Sequence, residues 1–259
     1  MKKISLILVL IFAMLIANAQ NDIVVDPNAS VRDVSGQFET IKVSGGIDLY
    51  LSQSDKMAVA VSASSENYKE GIKTVIENGT LRIFYEGEKG WMKKDRKLRV
   101  YVSFTDLKKL DASGACDVIV AGSVSTAALV LHLSGACDFT GNVKVNTLDI
   151  NLSGASDAKI SGTANSVNIK SSGASDVKAY ELVTDVCNAN VSGASDVHIT
   201  INAELTASAS GASDIKYKGN GVIKEKHSSG ASSIVKENSF VKPIRFVVRI
   251  LCDGNLIAF

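Results

Sequence analysis

Five residues, Ser-Gly-Ala-Ser/Cys-Asp, return seven times in the second half of this 259-residue chain. Copies begin at Ser113, Ser134, Ser153, Ser172, Ser192, Ser210 and Ser229, at steps of 18 to 21 residues, and the last carries Ser233 where the others have Asp. A fixed period constrains the fold more than any local propensity. Each repeat is one coil too small to bury its own apolar face, so the coils must stack. The repeat leaves no room for the helical crossovers of a helix-connected parallel sheet, and the Leu-x-x-Leu-x-Leu pattern of a leucine-rich repeat is absent. The fold class is therefore all-β: a parallel β-helix or β-solenoid with coils of about 20 residues, preceded by a mixed β section containing a hairpin.

The phase within a coil assigns its two faces. Leu148, Ile150 and Leu152 alternate with Asp149, Asn151 and Ser153, and the same phase runs on through Gly154, Ser156, Ala158 and Ile160. The next coil repeats it through Val167, Ile169, Ser171, Gly173, Ser175, Val177 and Ala179. Period-two alternation puts these residues on the inside and leaves Ala155, Asp157, Ala174 and Asp176 outside.

Upstream of the coils the sequence changes style. Residues 1–19 read as a signal peptide: Lys2 and Lys3, an apolar run from Ile4 to Ile16, then Ala17-Asn18-Ala19 as a small-residue cleavage site. The run is too short to span a membrane, and no later segment has the length of a spanning helix. The expected location is outside the cytoplasm, in the periplasm, at the outer-membrane surface or extracellular. Residues 20–37 form a polar leader, and 38–239 one solenoid domain made of a mixed section (38–105) and repeat coils (106–239). Ser44-Gly45-Gly46-Ile47-Asp48 is a loose eighth copy of the repeat. Asn78-Gly79 between Thr74–Glu77 and Leu81–Tyr85 predicts a tight hairpin, since both central residues of a type I′ turn need positive φ. Trp91, in a charged loop, reads either as a ring folded over an apolar edge or as a ligand-facing aromatic. Residues 240–259 are abruptly apolar, either as a cap on the open end of the solenoid or as an aberrant reading frame.

Cys116 and Cys137 occupy one slot of consecutive repeats, where later coils carry Ser156, Ser175, Ser195 and Ser213. Stacked coils bring such residues within disulfide reach, but with parallel side chains, so a bridge and a pair of free thiols are both open readings. His132, His198 and His227 are scattered and no Cys-x-x-Cys occurs, which argues against a zinc site.

The outward Asp column, Asp117, Asp138, Asp157, Asp176, Asp196 and Asp214, carries the most pointed chemistry. Each carboxylate would accept from a backbone N–H at its own corner, collect Ca²⁺, or form a regular strip that recognises a cell-surface glycan or protein. Carboxylates at strand spacing also match the separation used by retaining glycosidases. Catalysis needs one carboxyl protonated and one ionised, however. A uniform ladder with no Lys or Arg recurring beside it does not supply that, so no enzyme, no catalytic residue and no cofactor are expected. A net charge of +1, with no basic run interleaved with aromatics, excludes a nucleic-acid partner. Flat solenoid faces would permit a homo-oligomer.

Together, the apolar leader, the Ser44–Asp48 opening, the Asn78-Gly79 turn followed by Leu98-Arg99-Val100-Tyr101-Val102, and the Ser-Gly-Ala-Ser-Asp coils resemble the auto-transporter adhesin head family, the head GIN domain of Bacteroidetes-type envelope proteins. The resemblance covers Phe38 to Lys236. It implies a β-helical fold and an adhesive or structural binding role in the cell envelope, and it supplies no catalytic residues. A polysaccharide-binding or polysaccharide-cleaving β-helix of the envelope is the alternative. Nothing of the length of an outer-membrane barrel follows the repeats, which departs from an autotransporter.

Overall fold

A computed structural model describes residues 26–87, 96–237, 249–252 and 255–258. The signal segment, Trp91 and much of the apolar tail lie outside the described residues. The strands run, in chain order, β1 (Ser30–Arg32), β2 (Thr40–Gly45), β3 (Asp48–Gln53), β4 (Ala58–Ser62), a short helix α1 (Glu66–Gly71), β5 (Ile72–Glu77), β6 (Thr80–Tyr85), β7 (Arg99–Phe104) and β8 (Lys109–Gly114). The coils follow as β9 (Asp117–Gly135), β10 (Asp138–Leu152), β11 (Asp157–Ser171), β12 (Val177–Val191), β13 (Asp196–Gly211), β14 (Asp214–Lys218), β15 (Val222–Gly230) and β16 (Ser233–Lys236).

These strands make a β-solenoid of about seven turns with coils of about 19 residues. The repeat sets the register. Asp138 pairs with Asp117 on one side and Asp157 on the other, and the parallel ladder continues through Asp196, Asp214 and Ser233. Leu148, Ile150, Leu152, Val167, Ile169, Val177 and their equivalents fill the interior. Each such side chain contributes about 1.5–3 kcal/mol by leaving water.

At the corner the phase read from the sequence departs from the fold. Gly154 and Gly173 keep the inward parity but are exposed, because the chain turns through Gly-Ala and shows two successive residues to solvent before Ser156 or Ser175 points in again. Gly154 has φ +82, and a Cβ there would lie 2.4 Å from the Gly135 carbonyl oxygen. The close approach is what lets the Ala155 N–H donate to that same oxygen at 2.7 Å. The corner is thus a glycine stack that holds adjacent coils together by backbone alone.

The mixed section belongs to the same sheet. The loose copy at Ser44 is in register with Ser113, and Gly45 with Gly114. β2 lies between β6 and β8, and β3 between β7 and β9, all parallel. The chain lays down one coil, leaves it, builds its outer neighbour, and returns to the inner side to start the repeats. The excursion carries the antiparallel strands: β4 pairs with β7, β1 with β4, and β5 with β6 across Asn78 (φ +48) and Gly79 (φ +72). The leader thus contributes β1, a three-residue edge strand that leaves little backbone open for pairing. Helix α1 is capped by Ser65, whose hydroxyl accepts from the Tyr68 N–H. At the far end β16 terminates the path, while β17 (Arg249–Cys252) and β18 (Asn255–Ala258) pair with each other in a separate antiparallel sheet.

Candidate functional site

The buried residue before each Asp explains the Ser/Cys position. Ser156, Ser175, Ser195 and Ser213 are fully buried. The Ser156 hydroxyl donates to the Ser153 carbonyl at 3.1 Å, Ser175 to Ser172 at 3.0 Å and Ser213 to Ser210 at 2.8 Å. Each closes its own corner from within. Cys116 and Cys137 occupy the two earlier slots as buried free thiols, with their sulfurs 2.6 Å apart. The hydrogen bond with Cys137, then burial, pushes the Cys116 thiol up. The buried Cys187 thiol is pushed up to about 12 by burial.

The six predicted aspartates stand in one column on the outer face of the solenoid, and Asp48 extends it by one coil. From Asp157 to Asp214 the carboxylates act as acceptors, but the donor belongs to the next coil and not to the residue's own corner. The Asp176 N–H donates to Asp157 Oδ1 (3.3 Å), the Asp196 N–H to Asp176 Oδ1 (3.4 Å) and the Asp214 N–H to Asp196 Oδ1 (3.3 Å). The Ser233 hydroxyl donates to Asp214 Oδ1 at 2.7 Å. The last copy therefore ends the column with a neutral donor, so no further carboxylate has to be compensated.

A second column corrects the expectation that no cation recurs beside the aspartates. Two residues after each Asp, on the same face, the register aligns Ile119, Thr140, Lys159, Lys178, His198 and Lys216. Lys178 Nζ lies 2.7 Å from Asp157 Oδ2 and 3.6 Å from Asp176 Oδ2, and Lys216 Nζ 3.9 Å from Asp214 Oδ2. The signal was legible as Asp-x-Lys at Asp157, Asp176 and Asp214. The ladder is consequently not uniform. Asp117 and Asp138 are exposed with Ile119 and Thr140 in the cation slot, whereas Asp157, Asp176 and Asp214 face lysines and Asp196 has His198 in the slot. At the opposite end of the column, burial and then the charge of Asp117 hold the Asp48 carboxyl above its usual range, although Arg99 pulls the other way. Among the described residues, no group of three or more His, Cys, Asp or Glu side chains is placed to hold a metal ion.

Another face went unassigned by sequence reasoning, although its outward residues were visible in the alternation. On the strand run leading into each corner, one column aligns Val130, Asp149, Asn168, Asn188 and Thr206, and the next aligns His132, Asn151, Lys170, Asn190 and Ser208. Asn168 Nδ2 donates to Asp149 Oδ1 at 2.7 Å. Two of the five residues in each column are asparagines, and their meaning depends on the stacking that makes them neighbours.

The comparisons with known proteins agree with this architecture. A comparison with the curated proteins gave no match. The fold is similar to that of a putative adhesin of Bacteroides fragilis, at 21% identity and a TM-score of 0.76, covering 81% of this chain and 96% of that one. It is also similar to a putative lipid binding protein of Parabacteroides distasonis (20% identity, TM-score 0.62, 82% and 98% covered) and to a putative adhesin of Parabacteroides merdae (19% identity, TM-score 0.56, 82% and 97% covered). Among the described residues no helix is long and apolar enough to cross a membrane. The profile of one protein family matches residues 37–221, across the mixed section and most of the coils, and the chain belongs to that family, described as putative auto-transporter adhesin, head GIN domain.

Proposed function

We propose that this chain is an exported, non-catalytic adhesive solenoid of the cell envelope. The observation that carries the reading is the in-register stacking of the coils, which sets outward polar side chains such as Asp149, Asn168 and Asn188 side by side in rows over the solenoid. Such a surface suits a ligand contacted many times, because weak equivalent contacts on one rigid scaffold add without a separate ordering cost for each. The polar leader preceded by a signal-type segment supports export, and family membership supports adhesion.

Catalysis is disfavoured by the carboxylates themselves. From Asp157 to Asp214 each accepts a hydrogen bond from the coil that follows, and Lys178 and Lys216 pair with Asp157, Asp176 and Asp214. General acid–base cleavage requires the two environments to differ.

The test uses beads coated with the purified, exported protein on epithelial monolayers and on mucin-coated glass. Retention above that of albumin-coated beads is expected on at least one surface. Retention equal to albumin on both would overturn the adhesive reading. Release of reducing ends from soluble envelope polysaccharides would overturn the non-catalytic one.

A further inference from the structure

Resting on the adhesive reading, we propose that the amide-rich face is the ligand site and that its ligand is a neutral oligosaccharide. Asp149, Asn151, Asn168, Lys170, Asn188 and Asn190, with the apolar Val130 and Ile169, line a groove of about 450 Å³ across four coils. It continues toward the corner as a second hollow of about 330 Å³ that shares Asn151, Lys170 and Asn190 and adds His132 and serines from three successive coils. The volume is of the order that small-ligand sites occupy, about 300–1,000 Å³.

The chemistry of the lining selects the ligand class. An asparagine side chain offers two donors and one acceptor oxygen in fixed relation. Four of them, with hydroxyls behind, complement a surface dense in groups that both donate and accept, as the hydroxyls of a sugar do. The Asn168 amide is held by Asp149, so part of the lining is oriented before any ligand arrives. Protein partners anchor on aromatic and Arg hot spots, and the groove lining contains neither. Asp149 and Lys170 offset each other's charge, so the groove attracts neither a polyanion nor a polycation. Coil spacing of about 4.8 Å repeats the amide rows along the solenoid axis, which favours a chain of sugar units over a single one.

The exported protein is applied to an array of neutral hexose and N-acetylhexosamine oligosaccharides printed beside sulfated and sialylated chains. Binding to at least one neutral oligosaccharide is expected, weakened at least tenfold in Asn151→Val/Asn190→Val and unchanged in Asp157→Asn/Asp176→Asn. Valine keeps the strand propensity of these positions, and Lys170→Ala is a second, independent groove variant with the same expected loss. Binding only to charged chains, binding to no glycan, or wild-type binding by both groove variants would overturn the site. If the beads adhere while no glycan is bound, the adhesive function stands and the groove falls. If the glycan is bound and the beads do not adhere, the groove stands and the adhesive reading falls.

Discussion

Lys178 Nζ lies 2.7 Å from Asp157 Oδ2, joining one coil to the coil before it. Both side chains are about half exposed, so the pair is worth under about 1 kcal/mol in ordinary salt. Its effect is on register more than on stability. A one-residue slip of β12 against β11 would turn Lys178 into the interior and its apolar neighbours outward.

Lys178→Met should therefore cost less than about 1 kcal/mol in urea melts, with a larger cost at low ionic strength. The hydrogen bond with Asp157 raises the lysine pKa above its ordinary value. The contribution is present at neutral pH and is lost as pH rises past the usual lysine range, so wild type and variant should converge in strongly alkaline buffer.

Gly154 and Gly79 both have positive φ but differ in what surrounds them. A Cβ at Gly154 meets the Gly135 carbonyl at 2.4 Å, and one at Gly79 meets nothing within 4 Å. Gly79→Ala should cost roughly 1 kcal/mol, the strain of a left-handed alanine. Gly154→Ala adds a backbone clash between coils and should cost at least about 2 kcal/mol. Equal losses in thermal melts would show that the corner stack is not close-packed.

Asp48→Asn should stabilise the protein at neutral pH. Carboxylates at the ~4.8 Å strand spacing repel by roughly 0.9 kcal/mol even in water, and the asparagine oxygen still accepts from the next coil. The folded pKa of Asp48 is raised, so the stabilising protonated form is complete below the unfolded pKa and is lost as pH climbs through the folded one. A Tm gain of roughly 2–4 °C is expected at pH 7, vanishing below the ordinary carboxylate range.

Calcium should not matter to the coils. A calcium ion needs six to eight oxygens, while the carboxylates from Asp157 to Asp214 are engaged by backbone N–H groups, lysines and the Ser233 hydroxyl. Melting curves with millimolar calcium and with chelator should coincide; a calcium-dependent rise would assign the column to metal.

The thiols of Cys116 and Cys137 touch but are shut away from solvent. Glutathione disulfide should leave the folded protein unchanged. Refolding in its presence should join the pair, each thiol giving up a proton and the two together passing two electrons to the oxidant, which leaves as two glutathione thiols. Thiol titration in denaturant should then fall from four to two, and the bridged protein should gain about 3 kcal/mol for a loop of this length. Four remaining thiols would leave the pair as a variant of the serine slot.

The fold was legible because its determinants are periodic. Alternation from Leu148 to Leu152 and again from Asp157 to Ile160 needs no tertiary information to declare strands with one buried face, and Asn78-Gly79 names its own turn. The solvent exposure of Gly154 was not legible, since parity alone assigns it inward and only the path of the corner turns it out. The Asp-x-Lys spacing was present in the letters, yet the value of Lys178 lies in reaching Asp157 in another coil.

From sequence alone came the period, the solenoid, the inward Ser/Cys slot, the outward Asp column and the family likeness. These follow from local propensity and repetition, which act within one coil. The tertiary structure decided that β2 and β3 sit between two later pairs of strands, that the aspartates from Asp157 to Asp214 serve the coil after them, and that amides from three coils wall one groove. Each of those is a relation between residues about twenty or more positions apart, set by which coil stacks on which and by the register of the stack.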